Sequence, residues 1–192
     1  MEQTPTTEAI EKLIESLEYM QHEARALTRV IDNVPHDEVP SDDQLSIGQY
    51  LGLIHALQKK GARKLVVQIN REEAPLKVES PDELEQSYKT ALDPQEQAPA
   101  IDQLLTQLAE ERQQLVQNLH DLDQQSWNLE VETSGKTVFD WFEALLEKEQ
   151  KQLKAMGNLV MIYAQQRENM REIESKRKER EQWSDDAGNG DS

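Results

Sequence analysis

A shift of 91 positions lays the second half of this chain on the first. Ile10, Leu13, Ile14, Leu17, Ala24 and Ile31 fall on Ile101, Leu104, Leu105, Leu108, Leu115 and Leu122. Ile47, Tyr50, Leu51, Ile54, Ala62, Leu65 and Ile69 fall on Val138, Trp141, Phe142, Leu145, Leu153, Met156 and Val160, and the register holds without a gap. Within each set the residues recur at the three- and four-residue spacing that puts side chains on one face of a helix. Two long copies are not a short-period solenoid. They predict an all-α fold: a four-helix bundle of two similar helical hairpins joined by one long crossover.

Taken in order, the local signals agree. Thr4-Pro5 offers an N-cap followed by proline in the first turn, and a helix is expected from there to about Asp32, with Leu27 also on its apolar face. NVPHDEVPSDDQ is rich in turn formers and reads as a loop. Ser46 and Gln49 form a capping box for the second helix, with Leu45 and Tyr50 as a hydrophobic staple. Gly48, Gly52 and Gly61 each cost that helix ~1 kcal/mol relative to alanine, so tertiary packing must hold it. Ser80-Pro81-Asp82-Glu83 is a second capping box, and Leu84, Tyr88 and Ala91 follow it on one face of a short crossover helix. The third main helix is expected to start near Pro99, because Pro94 and Pro99 would each cost ~3 kcal/mol inside it. After the loop DQQSWNLEVETSG, the fourth runs from Thr137 to Tyr163.

The bundle is thus expected to occupy residues 1–165, and 166–192 to be a charged helical extension with a disordered end, SDDAGNGDS. Glu172 and Lys176 are a helix-supporting pair in that extension. Its Lys176, Arg177, Lys178 and Arg180 are the one basic cluster, read as a solvated helix end or as a dock for an acidic partner.

Charge excludes several functions. With 21 Lys and Arg against 38 Asp and Glu the net charge is -17, which repels nucleic acid and anionic membranes. Absence of Cys removes disulfides, thiolate nucleophiles and Cys-containing zinc sites. MEQTPTTEAIEK has neither a basic region nor an apolar run, and no stretch is long enough to span a bilayer, so the expected location is the cytoplasm. No phosphate-binding glycine loop, nucleophile elbow or Ser/His/Asp constellation is recognisable.

The one site-like feature is polar. Between Leu145 and Leu153 the fourth helix carries Glu149 and Gln152 on its buried stripe, and the 91-residue shift sets Gln58 against Glu149. With His55 one turn before Gln58, these four can converge on a pocket in the bundle interior. Buried polar groups must find partners or be put to use. They could hold one divalent metal through His55, Glu149 and Gln152, and Glu149 could act as a general base. Alternatively, His55 is a buried histidine hydrogen-bonded to Glu149 or a glutamine.

The segments SIGQYLGLIHALQKKGARKLVVQI and TVFDWFEALLEKEQKQLKAM, with Trp127 and Gly135 in the preceding loop, resemble the DinB/YfiT-like superfamily from about Thr7 to Gln165. That resemblance implies an up-down-down-up bundle, often a homodimer, with His55 as one of three metal-ligating histidines and thiol transfer or hydrolysis in some members. Where metal-binding members carry a His-x-x-x-His pair, this chain has Lys148 and Gln152, and a lysine ammonium cannot ligate. The expected function is therefore a binding or interaction module with a degenerate metal site. The alternative is a metal-dependent transferase or hydrolase using His55 and Glu149.

Overall fold

The structure, a computed structural model, describes residues 4–31, 34–39, 44–92 and 100–188; side chains at 21, 24, 25, 27–30 and 179–188 lie outside the description. The fold is all-α: α1 (Thr7–Ile31), α2 (Ile47–Ala56) continuing through a π-helical turn (Leu57–Ala62) into α3 (Arg63–Asn70), α4 (Pro81–Ala91), α5 (Ile101–His120) and α6 (Val138–Gly188). No helix among the described residues is long and apolar enough to cross a membrane.

Both predicted capping boxes form. Ser46 Oγ accepts from the Gln49 amide at 3.2 Å while the Gln49 side chain accepts from the Ser46 amide at 2.9 Å, and Ser80 and Glu83 repeat the exchange at the head of α4. The start of α1 differs from expectation: Thr6, not Thr4, caps it, its hydroxyl accepting from the Ala9 amide at 3.2 Å. α5 starts at Ile101, while Pro94 and Pro99 lie outside the described residues, as do the side chains of Ala24, Leu27 and Arg180.

The loop before α6 has more structure than its sequence announces. β1 (Glu130–Val131) and β2 (Lys136–Thr137) pair antiparallel through a turn in which Gly135 takes φ 62°, a conformation open to glycine without a Cβ penalty. Val131 also bridges to Leu76, and Thr133 donates to the Val78 carbonyl, so the ribbon is stitched to the segment that leads into α4. Trp127 is buried edge-on to Phe139 and tilted against Phe142. Thr137 then caps α6, accepting from the Asp140 amide at 3.1 Å.

Two apolar clusters fill the interior. The first holds the N-terminal half of α1, the C-terminal parts of the α2–α3 helix and of α5, and the first turns of α6. The second holds Ile31, the start of α2, Leu104, Leu105 and Leu108 of α5, and Met156 to Tyr163 of α6. α1 and α6 therefore run from the first cluster to the second, and α2 and α5 run the other way. Between the clusters lie the buried polar residues Gln58, Arg112, Glu149 and Gln152.

The neighbours differ from those of two packed hairpins. α1 runs closest to α5 and α6, and α2 likewise runs along α5 and α6; α1 and α2 are not near neighbours, nor are α5 and α6. Short loops force consecutive helices side by side. The connections 32–46 and 121–137 are long enough to let them stand diagonally.

α6 also outruns its predicted end. It spans 51 residues as one helix, and every residue from 164 to 178 is exposed. Lys176 Nζ meets Glu172 at 2.6 Å, the expected one-turn pair. The backbone stays helical through Gly188, into the segment expected to be disordered; residues 189–192 lie outside the description.

Candidate functional site

The polar layer is built by three helices. The π-helical turn makes each carbonyl accept from an amide one residue later than in an α-helix, which re-aims its side chains. It presents Gln58 to the core and buries Gly61 against Leu84 and Trp141. A Cβ at Gly61 would lie 2.7 Å from Leu84 and 2.8 Å from the Trp141 ring. Trp141 is held in turn by its Nε1, which donates to the Glu79 carbonyl at 3.1 Å.

Arg112 is the residue that sequence reasoning missed. It is 3% exposed and its Nη2 forms a salt bridge with Glu149, which is 0% exposed. The Gln58 carboxamide completes the group. With its oxygen toward the guanidinium it accepts from Nε at 3.2 Å and Nη2 at 2.5 Å, whereas the opposite orientation gives only a 3.5 Å contact to Glu149. Two contacts to a cation decide for the oxygen. Arg112 Nη1 is buried and has no hydrogen-bond partner among the described residues. An unmet buried donor costs about 1–3 kcal/mol, more on a charged group. A signal for Arg112 existed: it stands one turn past Leu108 and three residues before Leu115, inside the apolar stripe of α5.

The other predicted residues are placed elsewhere. His55 is half-buried and its Nε2 lies 3.4 Å from Glu111 Oε2, not against Glu149. Gln152 donates to Glu85 of α4 at 3.2 Å. Lys148 reaches the same Glu85 at 2.6 Å and Asp82 at 2.5 Å, and Lys89 lies 2.7 Å from Glu85. Burial raises the Glu85 pKa, but hydrogen bonds and charge from Lys148 and Lys89 outweigh it and leave the carboxyl below its ordinary value. Burial likewise lowers that of Lys148, and bonds to Asp82 and Glu85 return it above the ordinary lysine value.

Thus Gln58 and Glu149 meet on Arg112, while His55 and Gln152 go to different partners. A divalent metal would need His55, Glu149 and Gln152 on one point. Glu149 is neutralised by a guanidinium, and Gln152 turns to α4. The donor set does not fit a metal, and no group of three or more His, Asp or Glu side chains among the described residues is placed to hold one. Chemically, the layer is a neutral, closed pair with one spare donor. It bounds a cavity with 20 Å³ open to the centre of a water molecule, lined by Met20, Leu51, Ile54, Leu108 and Leu153 on its apolar side.

Comparison of the chain with family models, with curated proteins and with solved structures gives no match.

Proposed function

We propose that this chain is a divergent DinB-like four-helix bundle that has exchanged a metal centre for an internal salt bridge, and that it is a non-catalytic binding or interaction module. The observation that carries the reading is the Arg112–Glu149 pair in the middle of the bundle. The carboxylate a metal or a general base would require is already satisfied by a cation. Lys148, at one of the two positions where the metal-binding members have histidine, is bound to Asp82 and Glu85.

The opposed directions of the helices, α1 and α6 one way and α2 and α5 the other, support the up-down-down-up topology. So does the meeting of Gln58 and Glu149, residues 91 apart, on the two sides of the Arg112 guanidinium.

Elemental analysis of untagged protein after supplementation with zinc, nickel and manganese tests the proposal. The expected content is far below one metal per chain. About one metal per chain, lost in His55→Ala and in Glu149→Gln, would overturn it in favour of a metal-dependent transferase or hydrolase.

A further inference from the structure

Resting on the reading of the bundle as a binding module, we infer that the cavity beside Arg112 is a binding site for a small neutral hydrogen-bond acceptor carrying a short apolar group, of the amide, ketone or alcohol class. Three observations combine. Arg112 lines the cavity, and its Nη1 is buried without a hydrogen-bond partner among the described residues. The remaining wall is apolar, from Met20, Leu51, Ile54, Leu108 and Leu153. The space, 20 Å³ for a water centre, exceeds what one water needs, so it accepts a molecule of a few heavy atoms.

Charge selects the class. Arg112 and Glu149 already cancel, so a carboxylate or phosphate would bring an uncompensated charge into the interior, and a cation would face the guanidinium. A neutral acceptor brings no such cost, and meets Nη1 after a small turn of the guanidinium toward the cavity. Ala109 and Leu153 line the cavity and are only half-buried, which leaves it one side chain from solvent.

The test uses the full chain with labelled Met, Leu and Ile methyl groups, titrated with acetamide and, separately, with acetate. Acetamide is expected to shift the methyls of Met20, Leu51, Ile54, Leu108 and Leu153 saturably, with a Kd of ~1 mM, as suits so few atoms. Acetate should bind at least about tenfold more weakly, because of the charge it carries inward. Arg112→Met removes the donor but also strands Glu149 and can unfold the chain. Ala109→Leu fills the cavity while leaving Arg112 and its pair with Glu149 in place, and should weaken acetamide about tenfold or more with the helical circular dichroism retained. Absence of saturable acetamide shifts, acetate binding as tight as acetamide, or unaltered acetamide binding in Ala109→Leu would each overturn the inference. If such a failure comes with a protein that takes up no metal, the binding-module reading survives it; stoichiometric metal would remove that reading itself.

Discussion

At the scale of single residues, the polar layer sets both the stability and the legibility of this protein. Removing one member of a buried ion pair leaves the other charged and unsolvated, at a cost of about 3–5 kcal/mol, whereas replacing both by apolar groups of similar volume is often neutral or stabilising. Arg112→Met and Glu149→Leu are each expected to lower unfolding free energy by several kcal/mol, and the two together by much less. Urea denaturation of the four proteins in a double-mutant cycle measures this, and additive losses would mean the pair does not act as a unit. Glu149, Gln58 and Gln152 were legible because each interrupts an apolar stripe where periodicity calls for a hydrophobe. Arg112 interrupts one in the same way, but the 91-residue pairing of Gln58 with Glu149 involves only the second and fourth main helices. No periodicity reveals that His55 turns to Glu111, since that depends on how α2 and α5 are rotated about their axes.

At the scale of elements, the capping boxes were readable and deformations were not. The Ser46 and Ser80 boxes are local chemistry within four residues, so the sequence carries them whole. The π-helical turn at Leu57–Ala62 lies where Trp141 and Leu84 pack close to Gly61, a tertiary contact that no local sequence signal carries. Two glycines of this helix should therefore answer differently to alanine. Gly61→Ala puts a methyl into a ring and a buried leucine and is expected to destabilise by about 1–3 kcal/mol. Gly52→Ala meets only the hydroxyl tip of Tyr88, 2.3 Å from the new Cβ, so one ring must shift rather than a buried leucine and a tryptophan together, and helix propensity offsets the cost by up to ~1 kcal/mol. Thermal unfolding of both variants separates the two cases. α4 carries a pH dependence. Glu85 titrates below its ordinary value when folded, so its contribution is complete above the unfolded value, about 4.3, and is lost as pH falls through the folded one. Lys148 titrates above its ordinary value, so its contribution is complete below about 10.4 and is lost as pH rises through the folded one. Amide protection factors in α4 are expected to hold between about pH 5 and 10 and to fall outside that window, more than those of α5.

At the scale of the molecule, apolar periodicity carried the all-α class and the buried faces but not the neighbours. Apolar stripes say which side of a helix is covered and are silent on what covers it. Here the long connections let α1 and α2, and equally α5 and α6, stand apart, and the close backbone contacts of the four main helices all run from one half of the chain to the other. The consequence concerns how the chain reaches this state. Neither half has a main-helix partner within itself, so a fragment of residues 1–92 is expected to melt without a cooperative transition by circular dichroism, and an equimolar mixture with residues 93–192 to regain one. Productive contacts must wait until segments 54 (Gln58 to Arg112) to 91 (Gln58 to Glu149) or more positions apart in sequence meet, and the loop entropy of that meeting is lost before any packing rewards it. Folding should accordingly be slower than in a helical protein built from adjacent hairpins, and two chains held at high concentration could complete each other's cores by exchanging halves.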